Sequence, residues 1–116
     1  MSMQNSLNPK EQIILFYIPT GHRQAISNAR LAKLAGLSER DAREIIYSLI
    51  VKRGLPIGSS TEPKGGGYFM IHDEEDMKIA THHLLPRAKS ILLRGRVLEK
   101  IARDKFSLQL KFLLDE

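Results

Sequence analysis

The chain has 116 residues, 42% of them hydrophobic, no cysteine and a formal net charge of +5, which suits one modest core and a polyanionic partner. The absence of cysteine excludes disulfides, Cys-based zinc sites and a thiol nucleophile, and makes the cytoplasm the expected location. No apolar run is long enough to cross a bilayer.

Residues 1–7 are polar and short, lack the apolar stretch of a signal peptide, and are expected to stay unfolded. Asn8 then caps a helix, with Pro9 at its first position and Glu11 at its third, and Ile13, Ile14, Phe16, Tyr17 and Ile18 give it apolar content. Pro19 stops it. Thr20 to Arg23 reads as a loop, and Gln24-Ala25-Ile26 as a short strand.

Ser27 or Asn28 caps the next helix, which puts Leu31, Leu34 and Ala35 on one face before Gly36 ends it. Leu37 is an apolar plug between two helices. Ser38 caps the following one, with Asp41 three residues on in a capping-box-like arrangement. Ala42, Ile45, Ile46, Leu49 and Ile50 recur at helical spacing as a core stripe, leaving Glu39, Arg40, Arg43, Glu44, Tyr47 and Ser48 outward. Gly54 closes this helix. Leu55-Pro56-Ile57 is extended, Ser59 to Gly66 is a polar Pro- and Gly-containing loop, and Tyr68 to Ile71 reads as a returning strand.

Helix, short strand, helix, tight turn, helix and hairpin is the order of a winged helix-turn-helix. Such proteins lay the second helix of the motif in the major groove with its N-terminal residues nearest the bases. Ser38, Arg40, Arg43, Glu44 and Tyr47 are thus the candidate DNA readers. An arginine chelating guanine O6 and N7 is worth about 1–3 kcal/mol of discrimination, Glu44 suits cytosine N4, and Tyr47 suits a phosphate or sugar. The competing account is a solvated face on which Arg40 and Glu44, four apart, simply pair. At the hairpin tip Lys64, beside Gly65, Gly66 and Gly67, suits a phosphate, although a plain turn accounts for the glycines equally well. A P-loop is excluded because G-x-x-x-x-G-K-[ST] is missing.

Several segments resemble small winged-helix proteins of phages and prophages, chiefly of Gram-positive bacteria. These are Tyr17-Ile18-Pro19-Thr20-Gly21, Ala25-Ile26-Ser27, Leu31 to Arg40 (LAKLAGLSER), Gly54 to Ser60 (GLPIGSS) and Gly65-Gly66-Gly67-Tyr68. The resemblance spans nearly all of residues 9–102 and implies a DNA-binding or replication-associated role. Pro86 departs from it, lying where these proteins have an uninterrupted helix.

Charge is uneven along the chain. Lys and Arg against Asp and Glu give 9 − 5 = +4 for residues 1–72, −4 for residues 73–76 and 9 − 4 = +5 for residues 77–116. Asp73-Glu74-Glu75-Asp76 reads as a helix N-terminus, with Asp73 as cap and the carboxylates favoured by the macrodipole. A metal site is disfavoured because His72, His82 and His83 form no recognised ligand spacing with this run, and the histidines read as exposed polar residues.

From Glu74 to about Ala102 the pattern is helical. Met77, Leu84, Ile91 and Leu98 recur every seven residues, and Thr81, Ala88, Gly95 and Ala102 follow four positions later. This seam predicts a homodimer through Met77, Leu84, Ala88, Ile91, Gly95 and Leu98. The competing account lays the stripe on the chain's own core, which Leu85 and Leu92 favour by widening it. Pro86 predicts either a kink or a division into two helices. Arg87, Lys89, Arg94, Arg96, Lys100, Arg103 and Lys105 surround the same segment, suited to phosphates or to solubility. Phe106 to Phe112 alternates as a strand would, or continues the helix, and with Leu113 and Leu114 makes an apolar tail suited to a protein partner.

The expected fold is therefore mainly α with a small antiparallel β-wing. Its parts are an unfolded 1–7, a winged helix-turn-helix at 8–72, a C-terminal helical segment at 73–105 as one kinked or two helices, and a tail at 106–116. No catalytic constellation, metal set or cofactor motif is recognisable, so an enzyme is not expected. The expected function is sequence-specific binding of double-stranded DNA in transcription regulation or replication initiation. The alternative is a protein-interaction module on a winged-helix scaffold, binding a host or phage protein, counter-defence included.

Overall fold

The computed structural model describes residues 6–61 and 66–109. It is mainly helical, with one two-stranded antiparallel sheet and a long C-terminal helix. The elements are α1 (Pro9–Tyr17), a 3₁₀ turn (His22–Gln24), α2 (Asn28–Ala35), α3 (Glu39–Val51), β1 (Ile57–Ser60), β2 (Gly67–Met70) and α4 (Glu74–Phe106). Two compact units divide within α4, Met1–His83 and Leu84–Glu116. No helix among the described residues is long and apolar enough to cross a membrane.

Short polar side chains start the first three helices. Asn8 Oδ1 accepts from Glu11 N at 2.8 Å while Glu11 Oε1 accepts from Asn8 N at 3.0 Å, a reciprocal capping box. Ser27 Oγ accepts from Arg30 N and Ser38 Oγ from Asp41 N, so each hydroxyl satisfies one otherwise orphan amide. Gly36, left-handed at φ 71°, ends α2. The N–H of Leu37 returns to Ala32 O, and Leu37 lies half-buried against the core as a plug. At the end of α3, Gly54 is also left-handed, and Leu55 N donates to Leu49 O.

The core of the first unit gathers Ile14, Ile18, Ile26, Leu31, Ala32, Ala42, Ile46, Leu49 and Ile57, with Phe69 also fully buried. Three expectations change here. Leu7 is not loose: it is buried, and its carbonyl accepts from Gln12 Nε2 at 2.8 Å, so order begins before the cap. Leu34 is 44% exposed, its place in the core taken by Ala32, because the short α2 turns Leu31 and Ala32 inward. Ile50 is 39% exposed, since the inward stripe of α3 runs through Ala42, Ile46 and Leu49.

The sheet pairs Ile57 with Met70, Gly58 with Phe69, Ser59 with Tyr68 and Ser60 with Gly67. The expected strand at Gln24-Ala25-Ile26 contracts to a single bridge, in which Ile26 and Tyr68 exchange both backbone bonds at 2.9 and 2.7 Å. The residues before it turn instead as a 3₁₀ segment. Gly67 makes this approach possible. Its φ of 139° suits glycine, and a Cβ there would overlap the carbonyl of Ile26. The hairpin loop begins two residues later than expected, because Ser59 and Ser60 are still paired.

Asp73 caps α4, its Oδ1 accepting from Asp76 N at 2.8 Å. The helix continues through Pro86, so it does not divide into two, and it runs past Ala102 to Phe106. Ser107, left-handed at φ 54°, ends it, with Leu108 N donating to Ala102 O. Residues 107–109 are irregular, so the strand expected from Phe106 does not form there; the remainder of that tail lies outside the described residues.

One buried ion pair ties α1 to the end of α3. Glu11, 2% exposed, receives Arg53 Nη2 on Oε1 at 3.1 Å, Arg53 Nε on Oε2 at 3.3 Å and Ser48 Oγ on Oε2 at 3.5 Å. The Arg53 hydrogen bonds, then the Asn8 amide, hold its carboxyl below the ordinary value of 4.5.

Two outcomes are expected. Gly67→Ala lowers stability by about 3 kcal/mol, the combined order of backbone strain and overpacking, read as a fall in Tm by circular dichroism. Arg53→Ala costs about 2 kcal/mol at pH 7 in urea denaturation, the order for stranding a buried charged acceptor. Because the pKa of Glu11 is depressed, its contribution is present above pH 4.5 and lost as pH falls through the folded value, so the gap between Arg53→Ala and wild type narrows by pH 3.

Candidate nucleic-acid interface

The starts of α2 and α3 are joined by one side chain. Asn28, at the first position of α2, donates Nδ2–H to the carbonyl of Glu39 at 2.9 Å, across the turn at Gly36-Leu37-Ser38. Its Oδ1 is buried and has no hydrogen-bond partner among the described residues. The two helix N-termini, each with amides that only a cap or an anion satisfies, are thereby held side by side. Sequence reading offered Asn28 only as an alternative cap. Ser27 takes that role, and the asparagine becomes the tie.

On α3, Ser38, Arg40, Arg43, Glu44 and Tyr47 all lie on the exposed side. Arg40, with a side chain 84% exposed, pairs with Glu44 at 3.3 Å, so the solvated-pair account holds for these two. Such a pair is worth a few tenths of a kcal/mol and opens readily to another partner. Tyr47 is 63% exposed. Arg43 is exposed, and its charge reaches Tyr68 of β2: burial pushes the Tyr68 phenol up, and the guanidinium acts against that rise. Tyr68 of the hairpin therefore lies within range of the Arg43 charge. Lys64, expected at the hairpin tip, lies outside the described residues.

The face is not strongly basic. Glu39, Asp41 and Glu44 outnumber Arg40 and Arg43, a sum of −3 + 2 = −1. Arg30 and Lys33, exposed on the neighbouring α2, supply cations that sequence reading did not single out. Their signal was present in the polar side of the α2 pattern.

Along α4 the proposed seam is open to solvent. Met77, Leu84, Ile91 and Leu98 are 46%, 63%, 55% and 62% exposed; Ala88 is exposed and Gly95 half-buried. In the first unit the helix docks by a different face. Asp76 is buried, and Ala80 lies so close to Gly58 that a Cβ on the glycine would sit 2.7 Å from the Ala80 methyl and 2.9 Å from the Phe69 ring. The alternative account, in which the seven-residue stripe covers the chain's own core, thus fails at Met77.

The acidic run holds the group that sequence reading missed. Asp76, 1% exposed, accepts from the backbone N–H of His22 at 3.0 Å and of His72 at 3.1 Å. Its Oδ1 also lies 2.6 Å from His22 Nδ1 and its Oδ2 2.7 Å from His72 Nδ1. The His22 hydrogen bond, followed by the other donors, holds the Asp76 carboxyl far below its ordinary range despite burial. The bond to Asp76, with the charge of Asp73, raises His72. His72 is exposed, as expected, but is bonded to Asp76. Donor atoms of His72, Asp73 and Asp76 lie within 4.8 Å of one another, but both Asp76 oxygens are already occupied by N–H donors, so the arrangement is a carboxylate clamp. No spacing rule flags it, because His22 and Asp76 are 54 residues apart.

Comparison of the chain with models of protein families, with curated proteins and with solved structures finds no match in any of the three.

Proposed function

We propose that this chain is a winged helix-turn-helix protein of the phage and prophage type that binds double-stranded DNA by sequence, in transcription regulation or replication initiation. The observation that carries the reading is the pairing of the α2 and α3 N-termini through Asn28, with Arg40, Arg43 and Tyr47 exposed along α3 and Tyr68 of the hairpin within range of the Arg43 charge. A helix so presented fits the major groove with its first turns towards base edges, while N-terminal amides and the cations of α2 suit phosphates. The reading makes the protein cytoplasmic, without cofactor or catalytic activity.

A homodimer through α4 belongs to the same reading. The large residues of the seam stay exposed at a seven-residue period, the period a second helix matches. Two copies then bind two half-sites. That exposed stripe also favours a second reading, a scaffold for a protein partner, since the α3 face carries more acidic than basic residues.

A mobility-shift titration against duplex DNA separates the readings. Binding by phosphate contacts weakens with a log-log salt slope of about −0.9 per contact, and no binding near 50 mM salt rejects the DNA reading. Arg43→Ala is expected to relax base preference at one position by about 1–3 kcal/mol, and Lys64→Ala to weaken all duplexes alike. For the dimer, Ile91→Lys with Leu98→Lys is expected to halve the mass seen by sedimentation equilibrium; a monomeric wild type rejects it.

A further inference from the structure

We infer that His22, His72 and Asp76 form a proton-operated latch that fastens the first turns of α4 to the 3₁₀ turn and to the end of β2. The geometry is specific. One buried carboxylate takes four N–H groups, a backbone and a ring donor from each histidine, and the two histidines come from chain segments 50 residues apart. The inference is independent of what the α3 face binds.

The charges around the clamp set its response. Glu75 Oε1 lies 4.0 Å from His22 Nε2, Asp73 Oδ2 lies 3.5 Å from His72 Nε2, and Arg23 lines the same recess. Asp73, Glu75 and Asp76 bring three negative charges. Arg23 offsets one of them, and protonation of His72 offsets a second. A neutral His72 ring still donates through Nδ1–H, so its deprotonation loosens the clamp and does not erase it. His22 also lies edge-on to Phe69, with ring centroids 6.2 Å apart, so the clamp adjoins the buried contact among Phe69, Gly58 and Ala80 on which α4 rests.

The sign follows from the two shifts. His72 is raised above 6.5, so its contribution is complete below pH 6.5 and is lost as pH rises through the raised value. Asp76 is lowered from 3.8, so its contribution is complete above pH 3.8 and is lost only in stronger acid. The latch is tightest between those limits and loosens on the alkaline side.

The test follows the full chain by NMR from pH 5 to pH 9, recording imidazole nitrogen shifts, the amides of His22, His72 and Asp76, and hydrogen exchange in α4 corrected for its intrinsic pH dependence. The expected result is a His72 midpoint above 6.5 that the amides of His22 and Asp76 share. Protection at residues 76–80 is expected to fall about tenfold for each unit by which that midpoint exceeds 6.5, while protection in α1 stays constant. His72→Gln, which removes the titrating ring and leaves the backbone N–H bond to Asp76, is expected to remove the pH step and retain the fold. A His72 midpoint at or below 6.5, protection at residues 76–80 that ignores pH, or a full step persisting in His72→Gln overturns the latch. Should the variant not fold, the wild-type titration alone decides.

Discussion

Strand β2 has to satisfy hydrogen bonds along both edges, and the first unit is arranged around that demand. One edge takes β1. The other has no full strand to meet it and is closed piecemeal: Ile26 exchanges two bonds with Tyr68, Met70 N donates to Pro19 O, and Gly21 N donates to Met70 O. A hairpin by itself is marginal in water. These single bridges make it part of a folded unit, because they pin it to the segments that enter α2 and leave α1. Gly67 is the cost of this solution, since only a residue without Cβ lets the Ile26 carbonyl approach.

Elements of four to thirteen residues bury little apolar surface each, so their relative placement rests heavily on polar ties at their ends. Glu11 links the start of α1 to the end of α3, Asn28 links two helix starts, and Asp76 links α4 to the 3₁₀ turn and β2. Each tie uses a side chain that also lies in a first helical turn, where the macrodipole favours a carboxylate. Glu11 caps its own helix with one oxygen while both oxygens meet Arg53. The same residue thus makes a local element and fixes its neighbour, which is why truncating its partner strands a buried charge.

What could be read from the sequence divides along this line. Asn8, Ser27, Ser38 and Asp73 were legible as caps, and Gly36 as a stop, because capping acts within four residues. The ties were not legible: Glu11 and Arg53 are 42 residues apart, and no local pattern announces the meeting. Periodicity located α4 but gave one stripe with two possible partners, a second copy or the chain's own core. Docking was decided by Asp76 and Ala80, a buried acid and a small residue, which a hydrophobic stripe ranks last. Leu34 and Ile50 failed for a related reason, since a short helix turns inward only what its neighbours leave room for. On α3, the outward set from Arg40 to Tyr47 was legible because Ala42, Ile46 and Leu49 fix the opposite side.

The distribution of charge constrains how such a surface can act on a polyanion. With −1 across its first turns, α3 offers little phosphate attraction of its own, and its Arg40 is already paired with Glu44. On the proposed DNA reading, attraction comes from cations elsewhere: Arg30 and Lys33 on α2, Lys64 in the sequence between the two strands, and the basic residues of the chain after the acidic run. Residues that supply affinity and residues that supply preference are then different residues on different elements. If α3 binds DNA as proposed, Glu39, Asp41 and Glu44 repel a misplaced phosphate backbone and so disfavour poses that set it against their turn. A weakly charged helix flanked by cations discriminates better than a basic one, because non-specific attraction is not concentrated where the reading is done.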